Sequence, residues 1–297
     1  MNTANTKIKG TGVAIVTPFR KDDSIDFKAL AKLVDYQINN NIDYIVVLGT
    51  TGEPATLNND EKHAIINTVI ESVNKRVPIL VGIGGNHTQE TIHKIKSFDF
   101  TNIDGVLSVA PYYNRPTQAG IFEHFKAISS VCPLPLIVYN VPSRTAVNMT
   151  SETTLKLAHE FENIVAVKEA SGNMVQIMEI LRDKPKNFQV ISGDDALTFP
   201  MICMGCTGVI SVVANAFPKE FSEMVSLALT KKYDHSAAIH FKMLDIIATL
   251  FEEGSPSGVK AALEIKGLIT NHVRLPLVNL SISAYQKLEA QIRAFEI

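Results

Sequence analysis

Residues 163–172 read NIVAVKEASG, a short apolar run that continues directly into a lysine. Ile164, Val165, Ala166 and Val167 form a continuous apolar segment, which is typical of a parallel strand covered on both faces. No turn residue separates this segment from Lys168. The run indicates the kind of fold, and the lysine at its end raises the question of function.

Seven other segments have the same character, and each is followed by polar or turn residues and then by an amphipathic stretch. The eight runs begin at Thr11, Asp43, Pro78, Asp104, Leu134, Asn163, Phe188 and Thr207. Eight strands that alternate with helices predict an α/β fold of the (β/α)8 TIM barrel type. A doubly wound open sheet is the alternative, but no G-x-G-x-x-G follows the first strand and no P-loop is present.

The pattern changes after the eighth run, because only helical periodicity is found from Glu220 onward. One stripe consists of Met243, Ile246, Ile247, Leu250 and Phe251. We therefore expect a catalytic barrel over residues 1–225 and a C-terminal helical region over residues 226–297. Such an appendage would cover the barrel or form an oligomer interface.

Composition excludes several classes of function. The 297 residues are 46% hydrophobic and 20% charged, with a formal net charge of -2 and no basic stripe, so a nucleic-acid partner is not expected. The N-terminus lacks the apolar region of a secretory signal, and no apolar run is long enough to span a membrane. We expect a cytoplasmic protein. Cys203 and Cys206 form an isolated C-x-x-C, which we interpret as small core residues without a chemical role.

Catalytic groups of a barrel enzyme lie at the carboxyl ends of the strands. The residues at these ends are Thr17, Thr50, Thr51, Tyr112, Tyr113, Tyr139, Lys168, Gly193 and Ser211. Each has an ordinary explanation when it is taken alone: Thr50 could cap a helix, and Lys168 could pair with Glu169 at the rim. Their convergence on one face of the barrel favours a catalytic site.

A lysine at the mouth of an apolar barrel is partly desolvated, which favours its neutral amine. At its ordinary pKa a lysine is only about one part in 2,500 neutral at pH 7. The neutral amine attacks carbonyl groups to form Schiff bases, and tyrosine and threonine hydroxyls can relay the protons that this chemistry requires. No histidine pair with metal-ligand spacing lies at a strand end, so we expect no metal.

Five motifs occur in order at these strand ends. They are GTTGE (49–53), PYYNRP (111–116), YNVPSRT (139–145), VAVKEASG (165–172) and SGDD (192–195). Together they resemble the dihydrodipicolinate synthase and N-acetylneuraminate lyase family, and within it the synthase branch. The resemblance covers the chain from about Gly10 to its C-terminus. It implies a Schiff-base condensation of pyruvate with L-aspartate 4-semialdehyde to 4-hydroxy-tetrahydrodipicolinate, in lysine and diaminopimelate biosynthesis.

The resemblance also implies a role for each matching residue. Lys168 would form the Schiff base, and Tyr139 would relay protons through Thr51 to Tyr113, which would reach in from a neighbouring subunit. Further roles in substrate binding are implied for Thr50 and Thr51 with the backbone of Ile210 (the pyruvate carboxylate), Arg144 (the carboxylate of the aldehyde) and Gly193 (space for the substrate). The implied assembly is a homotetramer built as a dimer of dimers, with no cofactor besides the covalent Schiff base.

Two other functions stay open at this point. An N-acetylneuraminate lyase or a 2-keto-3-deoxy sugar acid aldolase would use the same lysine, but the lyase motif after the tyrosine lacks an arginine where this chain has Arg144. A barrel that only binds small molecules would need neither a nucleophile nor a proton relay. We therefore favour the synthase.

Some members of the family are inhibited by lysine, which they bind at a subunit interface. At the matching positions this chain agrees at Asn86, Glu90 and Tyr112 but differs at Pro54 and Asn59. Lys62 stands where inhibited members tend to have histidine or glutamate, and its ammonium would repel a cationic ligand. We therefore expect weak or absent inhibition by L-lysine.

Overall fold

The computed structural model describes residues 8–295. Its eight strands are almost completely buried, as expected for short apolar runs covered on both faces. The strands are β1 (Gly10–Ala14), β2 (Tyr44–Val47), β3 (Ile79–Gly82), β4 (Gly105–Val109), β5 (Leu136–Asn140), β6 (Ile164–Glu169), β7 (Gln189–Ser192) and β8 (Gly208–Ser211). All eight predicted runs are therefore confirmed as strands.

Helices follow the strands and form the outer layer. They are α1 (Phe27–Asn39), α2 (Asn59–Val73), α3 (Thr88–Ser97), α4 (Gln118–Ser129), α5 (Pro142–Thr145), α6 (Ser151–Glu160), α7 (Met174–Asp183), α8 (Thr198–Cys203), α9 (Pro218–Leu229), α10 (Tyr233–Glu252), α11 (Ser257–Ile265) and α12 (Ile282–Phe295). Within residues 8–295, no helix is long and apolar enough to cross a membrane.

The sheet closes on itself, and all neighbouring strands are parallel. Strands β1 to β8 pair in chain order, and β8 pairs with β1, where Ile210 lies opposite Gly12. The predicted (β/α)8 barrel with a C-terminal helical appendage is thus confirmed. Closure brings the carboxyl ends of all eight strands to one face, so residues that are far apart in the sequence can form one site.

The barrel interior is packed with side chains rather than hollow. Tyr44 is fully buried there, and its hydroxyl donates a hydrogen bond of 3.0 Å to the carbonyl of Val209. A Cβ atom at Gly12 would lie 2.2 Å from the Tyr44 ring, so only glycine leaves room for this ring. Tyr44 and the apolar residues around it fill the interior, which supports the polar residues at the carboxyl end.

In the C-terminal region α10 packs on α8 and α9, and α11 packs against the turn that follows β8. Helix α11 is largely buried, and the stretch after it reaches the loop that follows β1 through Thr270, whose hydroxyl donates to the carbonyl of Phe19 at 2.7 Å. The predicted stripe on α10 is buried at Met243, Ile246, Ile247 and Leu250. Phe251 is 39% exposed, because it lies at the last turn of the helix. The expected division between residues 225 and 226 falls within α9.

The two cysteines of the C-x-x-C motif differ in environment. Cys206 is buried, and burial raises the pKa of its thiol to about 12. Cys203 ends α8 and is exposed, so the interpretation of both as core residues holds for Cys206 only.

Candidate active site

Lys168 and Tyr139 lie side by side at the carboxyl ends of β6 and β5. They are directly opposite each other in the register of the two strands. The Nζ atom of Lys168 lies 4.2 Å from the centroid of the Tyr139 ring. Both residues are buried, with 5% and 6% of their surface exposed. The amine is therefore held against an aromatic face in a site that contains little water.

The next residues on the same two strands, Asn140 and Glu169, form a hydrogen-bonded polar pair. Asn140 lies opposite Glu169, and its amide donates to both carboxylate oxygens, at 3.1 and 3.2 Å. The backbone N–H of Ser171 also donates to Glu169, at 2.9 Å. Because successive strand residues point to opposite faces, Glu169 satisfies these donors outside the barrel while Lys168 faces inward. The carboxylate of Glu169 therefore does not form the ion pair with Lys168 at the barrel rim that was the simpler explanation of this lysine.

Burial shifts the pKa of both site residues. It lowers the pKa of Lys168 to about 7, with Asp195 opposing the shift and Arg144 adding to it. Burial also raises the pKa of Tyr139 to about 12, so the tyrosine is a phenol that can donate or pass on a proton. At neutral pH a large share of Lys168 is therefore the neutral, nucleophilic amine.

Asp195 is a buried acid that sequence reasoning left without a role, although it lies in the SGDD motif. Its carboxylate accepts from the hydroxyl of Ser211 at 2.5 Å and from the N–H groups of Val212 and Val213 at 3.1 and 3.3 Å. These bonds tie the end of β7 to the end of β8. Burial raises the pKa of Asp195 to about 6, and its charge acts on Lys168. Only the fold shows that this acid is buried within electrostatic range of the lysine.

Gly193, which directly follows β7, lies against the side chain of Lys168. A Cβ atom at this position would lie 2.8 Å from Cε of Lys168 and 2.9 Å from Cβ of Ala170. The Gly193 N–H donates to the carbonyl of Glu169 at 2.8 Å, which fixes β7 beside β6. The missing side chain thus leaves room for the stem of the lysine itself.

Thr50 and Thr51 lie in a 3-10 turn, Thr50–Gly52, directly after β2. Thr51 is buried, with 4% of its surface exposed. The hydroxyl of Thr17, which follows β1, donates to the carbonyl of Gly52 at 2.7 Å and fixes the turn to the neighbouring strand end. Ile210 lies on β8 and is 1% exposed. These residues come from three strand ends of the same barrel face.

Tyr113 is the one predicted catalytic residue that points away from this chain. It is 88% exposed, and its neighbour Tyr112 is 40% exposed. Tyr113 and Arg115 both have a left-handed backbone, with φ of 71° and 45°, which is unusual for such bulky residues. The loop is anchored by Asn114, whose amide donates to the carbonyl of Asn86 at 2.9 Å.

Arg144 lies in the short helix α5, just after Tyr139 and its strand. Its Nη2 donates to the backbone carbonyl of Ser255 at 3.2 Å, and the residue is exposed. Its positive charge lowers the pKa of both Lys168 and Tyr139, so the guanidinium is within electrostatic range of the site. It is available to an anionic group that enters the barrel mouth.

The positions at which the resemblance suggested a lysine site lie near α2 and α3. Lys62 is partly buried, and burial together with the charge of Lys94 lowers its pKa. Lys94 also pairs with Glu90 at 3.4 Å. The ammonium of a bound lysine would therefore meet two cations, Lys62 and Lys94, and a carboxylate, Glu90, that is already paired.

Comparison with known proteins identifies the family of the chain. The sequence profile of the Dihydrodipicolinate synthetase family matches residues 7–295. The chain belongs to this family. It is 51% identical over 294 residues to the 4-hydroxy-tetrahydrodipicolinate synthase of Parabacteroides distasonis, covering 99% of each protein. The resemblance inferred from the five motifs is confirmed, and the relatives favour the synthase over the lyase and sugar acid aldolase alternatives.

Solved structures of the dihydrodipicolinate synthetase family have the same fold. The chloride-inhibited dihydrodipicolinate synthase of Acinetobacter baumannii, complexed with pyruvate, matches with a TM-score of 0.94 and 39% identity, over 98% of this chain and 99% of that one. A synthase variant described as monomeric matches with a TM-score of 0.95 and 39% identity, over 98% of both chains. Members of the family therefore share this barrel, including the variant that is described as monomeric.

Proposed function

We propose that this chain is a lyase that condenses pyruvate with L-aspartate 4-semialdehyde to 4-hydroxy-tetrahydrodipicolinate. The observation that carries the proposal is the buried Lys168 amine, with its pKa lowered to about 7, beside the ring of Tyr139. The family and the names of relatives at about half identity support the same function. The product would enter lysine and diaminopimelate biosynthesis.

The first step is addition of the neutral amine of Lys168 to the keto carbon of pyruvate. A C–N bond forms, the carbonyl oxygen takes a proton, and water leaves to give the imine. Loss of a methyl proton then gives an enamine, whose carbon attacks the aldehyde of the second substrate and restores the imine. The amino group of that substrate then adds to the imine carbon and displaces the Lys168 amine, so the C–N bond to the lysine breaks as the ring of the product closes. Tyr139 would give and take these protons, and its ring beside Nζ and its protonated hydroxyl support this role. The imine is the electron sink, so this chemistry needs no separate cofactor.

The substrate carboxylates would be held at two places. The turn with Thr50 and Thr51 after β2 and the backbone of Ile210 on β8 would hold the carboxylate of pyruvate, because hydroxyl and N–H groups suit a carboxylate. Arg144 stands at the exposed side of the mouth, where its planar guanidinium suits the carboxylate of the semialdehyde. The smaller substrate thus lies deep, and the larger one enters after it.

The proton relay would continue through Thr51 to Tyr113 of a neighbouring subunit. Support comes from the high exposure of Tyr113 and from its left-handed backbone, a conformation that is unusual for a bulky residue. A tyrosine contributed in this way requires at least a dimer, and a homotetramer built as a dimer of dimers is the assembly we propose. A cytoplasmic location fits an enzyme with these substrates.

Turnover with alternative substrates tests the function. Purified enzyme is given pyruvate with L-aspartate 4-semialdehyde, and separately N-acetylneuraminate, with Lys168→Met as the inactive control. We expect product only from the first mixture and none from the variant. Cleavage of N-acetylneuraminate at a comparable rate would contradict the proposal, because it would assign the same lysine to a different substrate.

A further inference from the structure

A buried ion pair joins the C-terminal helices to the loop that carries Thr50 and Thr51. Nζ of Lys260, on α11, lies 2.5 Å from Oε1 of Glu53, and the two side chains are 0% and 1% exposed. The same ammonium donates to the carbonyl of His272 at 2.9 Å and lies 4.3 Å from the centroid of the Phe19 ring. Burial lowers the pKa of Lys260 to about 8, an effect that Glu53 opposes.

Glu53 is the joint between two tight turns. It follows the turn Thr50–Gly52 and precedes the turn Pro54–Thr56, and its own backbone is left-handed, with φ of 55° and ψ of 42°. Its N–H donates to the carbonyl of Thr50 at 3.2 Å. A residue with a side chain rarely keeps this conformation unless its surroundings hold it. The position of Glu53 therefore sets the position of the turn before it.

Both carboxylate oxygens of Glu53 are engaged from the C-terminal region. Oε1 meets Lys260, and Oε2 accepts from the backbone N–H of Arg274 at 3.3 Å. The Arg274 guanidinium also donates to the carbonyl of Thr56 at 2.8 Å and to Glu61 at 2.9 Å. The segment from Lys260 to Arg274 thus holds the loop of residues 50–56 at two places, at Glu53 and at Thr56.

A buried ion pair seldom adds much net stability, because desolvation of the two charges offsets their attraction. Removing one partner leaves an unpaired buried charge, which is strongly destabilising, so the two side chains stay together in the folded protein. In a substrate site a displacement of about 1 Å can reduce the rate by about 100-fold. The pair is therefore better explained by placement of the loop than by stability alone.

We propose that Lys260 is a positioning residue, which acts through Glu53 to hold the Thr50–Gly52 turn where it binds the carboxylate of pyruvate. The proposal rests on the proposed function, since that turn is assigned to pyruvate there. It gives the C-terminal helices a part in substrate binding, in addition to covering the barrel. No contact between Lys260 and the substrate is implied.

The test removes the ion pair without leaving a buried charge, in the double variant Glu53→Gln with Lys260→Met. The single variant Glu53→Gln is measured in parallel, and Lys287→Met, which breaks an exposed ion pair with Glu252 of 2.7 Å, is the matched control. For each protein, thermal melting gives the folded fraction, and borohydride trapping gives the pyruvate concentration for half-maximal adduct on Lys168.

We expect the double variant to fold and to need at least about 10-fold more pyruvate, since the turn would shift by a fraction of an ångström. The control should match the wild type in both measurements. Wild-type pyruvate saturation in the folded double variant, or in Glu53→Gln if the double variant does not fold, would overturn the positioning role. Absence of any adduct on the wild type would instead overturn the proposed function on which this role depends.

Discussion

Nζ of Lys168 lies 4.2 Å from the centroid of the Tyr139 ring, on the adjacent strand and in the same register. The nucleophile and the residue assigned to proton transfer therefore both lie on strands of the barrel, and neither is carried by a loop. Asn140 and Glu169, one position further along the same strands, hold the register by two hydrogen bonds. The pair is thus fixed by the rigid part of the barrel, which favours a site with one geometry.

Replacing Gly193 by alanine should displace the lysine. The added Cβ would lie 2.8 Å from Cε and 3.0 Å from Cγ of Lys168, and 2.9 Å from Cβ of Ala170, so one of these groups must move. We expect Gly193→Ala to lower kcat/KM by roughly 100-fold, because the amine would leave its place beside Tyr139. Steady-state kinetics on folded protein measure this. Activity within about twofold of the wild type would show that the lysine stem adjusts easily.

The pH dependence of imine formation should follow the lowered pKa of Lys168. Because burial lowers this pKa to about 7, the amine is mostly protonated below pH 7 and mostly neutral above it. The rate of attack on pyruvate should therefore rise about tenfold per pH unit below pH 7 and level off above it. Cyanoborohydride trapping across a pH series measures the rate. A rise that continues toward pH 10 would mean that Lys168 titrates like an exposed lysine.

Arg144→Ala should impair the use of L-aspartate 4-semialdehyde but not the reaction with pyruvate. We expect kcat/KM for L-aspartate 4-semialdehyde to fall roughly 10- to 100-fold, which corresponds to loss of a charge-assisted hydrogen bond. Adduct formation with pyruvate should stay close to the wild type. Arg182→Ala is the matched control, because Arg182 is an exposed arginine paired with Asp183 on the surface. Loss of both activities would assign Arg144 a structural role through its bond to Ser255.

Inhibition by L-lysine should be weak. Lys62 is partly buried, and its pKa is lowered by burial and by the charge of Lys94, so two ammonium groups already share this region. We expect half-inhibition only above about 1 mM lysine, and a lower value in Lys62→His at a pH where the histidine is neutral. Initial rates over a lysine series provide the measurement. Sub-millimolar inhibition of the wild type would contradict the expectation.

The barrel could be predicted because each of its strands can be recognised from a short segment of the sequence. Each strand is a short apolar run, and the polar residues at the strand ends, Lys168 and Tyr139 among them, are visible beside those runs. The contacts that complete the site join residues that are far apart in the sequence. Lys260 lies in an apolar helical stretch, and nothing in that pattern indicates that it pairs with Glu53 in a loop far away in the chain. Asp195 likewise gives no sign in the sequence that it will be buried near the lysine.

The most direct test of the central claim is the identity of the residue that bonds to pyruvate. The enzyme is incubated with pyruvate and borohydride, digested, and analysed by mass spectrometry, with Lys168→Met treated in the same way. The account predicts one reduced pyruvate adduct, on Lys168, and none on the variant. An unmodified wild-type enzyme, or an adduct on another lysine, would contradict it.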